Sequence, residues 1–484
     1  MKNIFKNFKL GSVLLYGGLL LAAVVLGFVM AYLKPPLSIA IVVTISAVAL
    51  LVPILIKNPE FSLVLVGFFL PFERFPAIDL GGATVKINHI LILVSFLVFV
   101  TTGIIRKKIK LRFDPIALAI VLMLFAFSFS FKEAINLQRS IEVFVFMFLM
   151  LIVYFTVTLI IQDKKTLIGV VKGVLWGALV AGLLGIYQFL GDSIGLPTSI
   201  TLIKPGYDQS TFGFARVMGA SQEPLYFANY IFIPLAISVL ALIRGTVQEL
   251  FSKRLIYLLS AILLIDFILA LSRGAYLGGA VMLLIFFIVQ AKLVFRIKTI
   301  LPAILILIFV LIGSYLAIAK TAPDSLDKFI GHALVNDRTQ GESVVSRVDA
   351  IEASWELFKE KPIFGNGLGN YGPIVQNDPS ETPDVGWYIV NNEYLEILAE
   401  TGLAGALTFL VVIILVFYRG IKAFALSDDP VVKTLLIAFL LAFIGILIQY
   451  ASFSTLYIFH IWFLIALIGA SANITFNQNV KKTD

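Results

Sequence analysis

Residues 140–161 read SIEVFVFMFLMLIVYFTVTLII, and Glu142 is the only charged side chain among them. About 20 apolar residues in an α-helix cross the hydrocarbon core of a bilayer, so this stretch is long enough to span it. Its apolar residues follow one another without alternation, which favours a helix over a strand of a membrane barrel. The stretch therefore predicts a transmembrane helix.

Apolar stretches of this kind recur along the whole chain. Of its 484 residues, 60% are hydrophobic and only 14% are charged, which is untypical of a soluble domain. We predict an all-α, polytopic membrane protein with about 12 to 14 transmembrane helices, the third of which is short. The predicted spans lie near residues 11–32, 36–56, 60–73, 88–104, 114–130, 140–161, 168–190, 223–243, 255–271, 274–291, 299–318, 402–418, 432–450 and 455–472.

The net charge of +8 comes from short basic clusters between the apolar stretches. These clusters fall on alternate connections, a distribution typical of cytoplasmic loops in membrane proteins. It predicts a protein of the cytoplasmic membrane with both termini in the cytoplasm, surrounded by membrane lipids, and it does not indicate a nucleic-acid partner. The first apolar run is longer than the core of a signal peptide and is predicted to remain as the first span.

The longest predicted extracytoplasmic connection covers residues 320–401, far more than an ordinary loop between helices. Within it, Val344, Val348, Ile351 and Trp355 recur at helical spacing, and Ser346 followed by Asp349 resembles a capping box. We therefore expect a structured loop with an amphipathic helix on the membrane surface or on the bundle.

Three arginines are predicted to lie on the extracytoplasmic side. Arg273 belongs to the sequence LSRG at 271–274, where Gly274 is expected to form a sharp turn between two spans. Arg216 lies in the loop 191–222, and Arg347 opens the amphipathic helix. A single arginine at a membrane boundary commonly extends to lipid headgroups. Three together favour a phosphate or diphosphate site, because guanidinium binds such groups bidentately.

Two further motifs lie close to the last part of this loop. In KPIFGNGLGNY at 361–371, the backbone amides around Gly367 and Gly369 could bind a phosphate, although no strand precedes them as in a nucleotide fold. In NNEYLEILAETG at 391–402, Glu393 could simply favour a helix N-terminus, whereas Glu400 lies more than a turn further in. These carboxylates are candidates for acid–base chemistry.

The sequence predicts no metal site and no cofactor. The chain has 0 cysteines, and its three histidines, His89, His332 and His460, have no spacing typical of metal ligands. Each histidine is expected to have a structural or solvated role.

Three ordered segments together resemble the O-antigen ligase and polymerase superfamily of bacterial envelopes. They are LSRG at 271, SRVDAIEASWELFKEKPIFGNGLGNY at 346 and NNEYLEILAETGLAGAL at 391, and the stretch FGFARVMGASQEPLYFANY at 212 is also similar. The resemblance covers roughly residues 205–420. It divides the chain into N-terminal helices (1–204), the core region (205–420) and C-terminal helices with a cytoplasmic tail (421–484).

The resemblance implies an enzyme that transfers a glycan at the extracytoplasmic face. The donor would be linked to polyprenyl diphosphate, and the acceptor would be the hydroxyl of a glycan or of a lipid-linked molecule. Arg273 and Arg347 would hold the diphosphate, with Arg216 as a third cation. Asn392, Gly367, Gly369 and Glu400 are candidates for substrate binding.

Asn391 occupies the position where the family usually has a histidine. Either Glu393 serves as the base instead, or the acceptor differs, or the activity is altered. Asn391 and Glu393 are therefore candidate catalytic residues, together with Arg273 and Arg347.

Two functions from other classes remain open. A transporter of a lipid-linked glycan should carry charged residues or broken helices within its spans, which here are nearly free of charge. Asp266 is the clear exception, and it could pair with a neighbouring helix or form a hydrogen bond. A non-catalytic scaffold would explain the apolar composition but not the polar, glycine-rich loop.

Overall fold

The computed structural model describes residues 58–75, 77–79, 84–105, 114–208, 214–294, 342–376 and 386–483, together with Leu55. The chain divides into two compact units, residues 1–57 and 58–484. The architecture that follows is that of the second unit. The predicted spans near 11–32 and 299–318, and nearly all of 36–56, lie outside the described residues, as does His332.

Helices make up most of the first part of this unit. They are α1 (Pro59–Phe69), α2 (Ile87–Ile105), α3 (Pro115–Phe129), α4 (Leu137–Ile160), α5 (Lys164–Ser193) and α6 (Thr198–Thr201). A short antiparallel hairpin, β1 (Ala77–Asp79) and β2 (Thr84–Lys86), lies between α1 and α2, and a 3₁₀ turn (Ser130–Glu133) follows α3. The all-α prediction missed this hairpin, which is too short to show a clear alternation of polar and apolar residues.

The second part is also helical. Its helices are α7 (Pro224–Arg244), α8 (Val247–Leu250), α9 (Lys253–Leu269), α10 (Arg273–Val294), α11 (Glu342–Glu360), α12 (Tyr371–Val375), α13 (Glu393–Leu426), α14 (Pro430–Gln449) and α15 (Phe459–Thr483). Among the described residues, seven helical segments are long and apolar enough to cross a bilayer, and three shorter helices are apolar as well. This confirms a polytopic membrane protein, while the total of about 12 to 14 spans stays a prediction.

Local sequence explains where several of these helices begin. Asp114 and Asp429 each precede a proline, and their side chains accept hydrogen bonds from the backbone N–H of Ile116 (2.9 Å) and Val431 (2.8 Å). A short polar side chain at the N-cap satisfies an otherwise unpaired N–H, and proline has no N–H to lose. Each helix is thereby fixed at its polar end before it enters the apolar layer.

The helices pack into one bundle around an apolar core. Helix α14 contacts α7 and α10, helix α13 contacts α3 and α15, and α1 lies along α5. Trp462 of α15 is fully buried in this core, and its indole N–H donates to the carbonyl of Leu456 at 2.7 Å. Buried polar groups in a membrane bundle need such partners, because lipid provides none.

The loops near 74–87, 131–139, 191–222 and 320–401 are predicted to be extracytoplasmic, and their described parts meet at one end of the bundle together with the residues around the end of α14. Hydrogen bonds join them pairwise: Glu73 N to Ala220 O at 3.0 Å, Asn136 N to Asn370 Oδ1 at 2.8 Å, and Glu393 N to Tyr450 O at 2.9 Å. Segments far apart in sequence therefore build a single polar layer at this end.

Three predicted helix boundaries are wrong. Helix α11 begins at Glu342, so Ser346 lies inside it and does not cap it. Helix α13 begins at Glu393 and not at 402, and it is interrupted by Gly402, whose φ of 62° and ψ of −164° are not helical. Helix α15 begins at Phe459, later than the predicted 455. Sequence periodicity locates helices more reliably than it locates their ends.

Helix α11 turns its apolar residues away from the bundle. Val348, Ile351 and Trp355 are 49%, 40% and 44% exposed, whereas Ser354, on an adjacent side of the helix, is 1% exposed. The helix lies on the bundle, where it contacts α13, and these three apolar residues face outward from that contact. An amphipathic helix with an outward apolar face is typical of the membrane interface.

A buried ion pair in the polar layer gives a pH-dependent prediction. Burial raises the pKa of Glu73, but Lys86 at 3.4 Å and the backbone N–H of Gln222 lower it more, so it lies below its usual 4.5. Glu73 thus stabilises the fold above about pH 4.5, and this contribution is lost as the pH falls through the folded pKa. We expect Glu73→Gln to lower the free energy of unfolding by roughly 1–3 kcal/mol at neutral pH.

The difference in the free energy of unfolding between Glu73→Gln and wild type should narrow as the pH falls below about 4.5. The wild-type carboxyl then becomes protonated and, like the glutamine, carries no charge. Thermal unfolding of the detergent-solubilised protein, followed by intrinsic fluorescence across this range, measures the difference. Glu356→Gln is the control, because the Glu356–Lys359 pair is exposed and should contribute little. A difference that does not change with pH would contradict the assignment to Glu73.

Candidate functional site

The structure places Arg273 within electrostatic range of the two other predicted arginines. Arg216 is half-buried in the loop before α7, Arg273 begins α10, and Arg347 lies in the first part of α11. Partial burial and the nearby Arg273 guanidinium lower the pKa of Arg347. Burial also lowers the pKa of Arg216, and Arg273 adds to that effect. Arg273 thus lies within electrostatic range of both other guanidinium groups.

Arg216 is held on the turn that precedes Arg273. Its Nη2 donates to the carbonyl of Leu271 at 3.0 Å, and its guanidinium lies over the ring of Tyr207, 5.6 Å from the centroid. Arg273 repels both other guanidinium groups, so the arginines need compensating partners. The carbonyl dipoles and the aromatic face provide part of that compensation.

The predicted role of Gly274 in the sharp turn is wrong. The residue with a left-handed backbone is Leu271, at φ 48°, and Gly274 lies within α10. A β-carbon at Gly274 would collide with the Oγ of Ser452. The glycine therefore allows a close approach between α10 and the end of α14.

A small cleft of about 50 Å³, lined by both polar and apolar residues, lies in the same layer of the protein. Its lining includes all three acidic residues of the 391–402 motif, namely Glu393, Glu396 and Glu400, together with Arg139 and Tyr457. Arg139 donates from Nη2 to the hydroxyl of Tyr457 at 3.3 Å. The cleft thus combines carboxylate acceptors with one cation and one phenol, and it has room for a hydroxyl group of a ligand but not for a whole sugar ring.

Glu393 is almost completely buried, with 2% of its surface exposed. One carboxylate oxygen accepts the backbone N–H of Thr455 at 2.6 Å, and the carboxylate lines the cleft. Helix α13, which begins at Glu393, is capped by Asn392, whose Oδ1 accepts the N–H of Leu395 at 3.2 Å. Glu393 therefore does more than favour a helix N-terminus.

Glu400 holds the glycine-rich turn in place. Its two carboxylate oxygens accept the N–H groups of Gly369 at 2.7 Å and Tyr371 at 3.0 Å, and its backbone carbonyl accepts the N–H of Gly367 at 3.0 Å. The prediction that the amides of Gly367 and Gly369 face a phosphate is therefore wrong in this conformation. Substrate binding by Glu400 stays a prediction.

The turn depends on glycine at position 365. Gly365 has φ 71°, and a β-carbon there would collide with the backbone of Glu400. We expect Gly365→Ala to lower the free energy of unfolding by about 2–5 kcal/mol, from backbone strain and from the collision. Thermal unfolding in detergent measures this loss.

Gly386→Ala is the matched control for Gly365→Ala. Gly386 also has a positive φ, 84°, but among the described residues no atom lies within 4 Å of the position that its β-carbon would take. In this control the free energy of unfolding should fall by about 1–3 kcal/mol, from backbone strain alone. Equal losses in the two variants would show that the collision with Glu400 does not matter.

Asn391 and Asn392 occupy the start of α13. Asn391 has φ 57°, and its side-chain amide remains local, 3.5 Å from the carbonyl of Ile389. Asparagine tolerates this left-handed conformation better than most residues. Asn392 donates its backbone N–H to Ser454 at 2.9 Å. Both asparagines border the cleft residues, and their functional roles stay predictions.

Sequence reasoning missed the segment between α14 and α15. Residues 450–458, YASFSTLYI, which we call the 450–458 segment, provide partners for Glu393, Asn392 and Arg139. Its residues with a hydroxyl group are Tyr450, Ser452, Ser454, Thr455 and Tyr457, and such residues are common in loops. Arg139 was missed as well, although a cation in the first turn of an apolar span is an available signal.

Asp266 lies within α9, and both of its carboxylate oxygens are buried. Among the described residues neither oxygen has a hydrogen-bond partner, so the predicted pairing or hydrogen bond is not seen. The carboxylate packs against Gly182 and Gly185 of α5, where a β-carbon at Gly185 would lie 2.5 Å from Oδ1.

The two described histidines are structural. His460 is buried and its Nε2 lies 2.8 Å from Oδ1 of Asn229, while Nδ1 of His89 accepts the N–H of Lys86 at 3.4 Å. Within the described ranges, no group of three or more histidine, aspartate or glutamate residues is arranged to hold a metal ion.

Comparison with known proteins identifies one family. Residues 258–410 match the family model described as O-Antigen ligase. Arg273, Arg347, the glycine-rich turn and the acidic residues of the cleft lie inside this interval, whereas Arg216 and Arg139 lie outside it. A comparison with curated proteins finds no match. The predicted family resemblance is therefore confirmed over residues 258–410, where the chain carries an O-antigen ligase domain.

Proposed function

We propose that this protein transfers a glycan from a polyprenyl-diphosphate carrier to an acceptor hydroxyl at the extracytoplasmic face of the cytoplasmic membrane. The proximity of Arg273 to both Arg216 and Arg347 is the observation that carries this proposal. Three segments far apart in sequence each contribute one cation. The match of residues 258–410 to the O-antigen ligase family supports the same class of reaction.

The arginine group suits a diphosphate better than a single carboxylate. Arg273 interacts unfavourably with both other guanidinium groups, and an anion with several negative oxygens between them would relieve that repulsion. Guanidinium keeps its charge at any physiological pH and binds phosphate oxygens bidentately. Negative charge develops on the diphosphate as it leaves, so the same group would stabilise the transition state.

The transfer breaks the bond between the anomeric carbon and the diphosphate oxygen. A new bond forms between that carbon and the acceptor oxygen, and the acceptor proton passes to a base. Glu393 is the proposed base, because it lines the cleft and is held by the N–H of Thr455. Arg139 and Tyr457 would orient the acceptor. Polyprenyl diphosphate is the leaving group, and no cofactor takes part.

The opposite end of the bundle is proposed to face the cytoplasm. Lys164 lies there, with Asp429 at 2.9 Å and Glu249 at 3.4 Å. By the alternation seen in the sequence, the basic clusters fall on the connections of this side, as they do in cytoplasmic loops. With this orientation, both termini are proposed to lie in the cytoplasm.

The glycan profile of the host envelope tests the function. The gene is deleted and complemented with wild type or with Arg273→Ala. Loss of long polymer, with single units still attached, would indicate a polymerase. Loss of all attachment, with accumulation of lipid-linked polymer, would indicate a ligase. An unchanged profile would contradict the proposal and favour a transporter or a scaffold.

A further inference from the structure

A second cavity opens beside the cleft in the same polar layer. Its volume is about 190 Å³. One water molecule occupies about 30 Å³ of liquid, so the cavity has the size of one small ring molecule with its substituents. Its polar lining comes from the segment after α1, from β2, from the loop before α7 and from the first turn of α7: Glu73, Lys86, Lys204, Gln222, Glu223 and Tyr226.

The charges around this cavity are paired. Lys86 lies 3.4 Å from Glu73, and Lys204 lies 3.7 Å from Glu223. Each ammonium carries three N–H donors and each carboxylate several acceptor positions, so both pairs keep capacity for further hydrogen bonds. Because the charges cancel, the cavity favours a neutral ligand with many hydroxyl groups over an anion.

Two tyrosines complete the lining. Tyr226 and Tyr457 both border the cavity, and the hydroxyl of Tyr226 lies 3.1 Å from Oγ1 of Thr455. An aromatic ring offers an apolar face beside a polar edge. Together with paired donors and acceptors, such rings suit a sugar, which has apolar C–H faces and a hydroxylated rim.

The second cavity shares a wall with the cleft. Thr455 and Tyr457 line both. The N–H of Thr455 donates to Glu393, and the hydroxyl of Tyr457 accepts from Arg139. A ring in the second cavity would therefore lie next to the wall that positions the proposed base.

We infer that the second cavity binds a neutral sugar ring of the acceptor and presents its hydroxyl toward the cleft. This inference rests on the proposed function. The donor is less suitable for this cavity, since a diphosphate needs unpaired cations and both lysines here have carboxylate partners. Lys204 and Glu223 are thus specificity-determining residues for the acceptor.

The test uses the full chain in proteoliposomes. Lipid-linked glycan extracted from the host is the donor, and host envelope lipid is the acceptor. Lys204→Gln is expected to raise the KM for the acceptor at least tenfold, with kcat and the KM for the donor within twofold of wild type. Lys204 is 47% exposed, so the substitution should not prevent folding. Glu223→Gln, at the partner carboxylate, is expected to show the same pattern.

Lys359→Gln is the matched control, because Lys359 is an exposed lysine of α11 in an ion pair with Glu356. An acceptor KM that is unchanged in both Lys204→Gln and Glu223→Gln, with active wild type, would overturn the inference alone. Equal changes in donor and acceptor KM would also overturn it, since they would indicate a general disturbance. Wild type without transfer activity would overturn the proposed function itself.

Discussion

Alanine in place of Arg273 or Arg347 is expected to lower the rate of glycan transfer by about 100- to 1,000-fold, with normal accumulation of the protein in the membrane. The loss arises because charge develops on the diphosphate as the glycosidic bond breaks, and each guanidinium stabilises that charge. Neither side chain belongs to the apolar core, so folding should not depend on it. Transfer in proteoliposomes, normalised to the amount of protein, measures the effect.

Lysine at either position should restore only part of the lost activity, because an ammonium cannot bind two phosphate oxygens in the planar geometry of guanidinium. Arg254→Ala is the matched control. Arg254 is exposed at the start of α9, whereas Arg273 follows the other end of that helix. If the alanine variants at 273 and 347 both retain wild-type rates, these two arginines do not bind the diphosphate.

Glu393→Gln is expected to lower the transfer rate by about 100- to 10,000-fold at neutral pH, the range for loss of a general base. The amide oxygen of glutamine can still accept the N–H of Thr455, so the fold of the 450–458 segment should be kept. The loss should be smaller at high pH, where the acceptor hydroxyl needs less help to lose its proton. Initial rates across a pH series measure both effects.

Glu352→Gln provides the control for Glu393→Gln, because Glu352 is an exposed carboxylate on α11. Thermal unfolding of both variants separates a chemical loss from a structural one. A wild-type rate in Glu393→Gln at every pH would limit Glu393 to its structural bond with Thr455, and the base would have to be sought elsewhere in the cleft.

The helices and the arginine group were accessible from the sequence. Continuous apolar stretches predict membrane helices because lipid leaves the backbone few alternatives, and alternate basic clusters sort the connections into two sides. Arg216, Arg273 and Arg347 therefore fell on one predicted side, and the structure places Arg273 within electrostatic range of the other two. The local hydropathy of the chain and the distribution of its basic residues were sufficient to predict the side of the membrane for these arginines.

The cleft was only partly accessible. Glu393 and Glu400 were found as unusual carboxylates at a membrane edge, but their different partners, Thr455 and the glycine-rich turn, depend on contacts between distant segments. Gly367 and Gly369 were assigned to phosphate because an isolated glycine-rich turn exposes its amides. Pairing of those amides with Glu400 follows only from the packing of α13, which sequence spacing does not encode.

The outward apolar face of α11 has a consequence for how the proposed donor arrives. With Val348, Ile351 and Trp355 immersed in the outer leaflet, the helix would hold Arg347 at the depth of the lipid headgroups. A polyprenyl diphosphate carries its own phosphates at that depth, so it would reach the arginine by lateral diffusion without leaving the bilayer. The search is then two-dimensional, and donor saturation should follow the mole fraction of donor among the lipids, not its concentration in the surrounding volume.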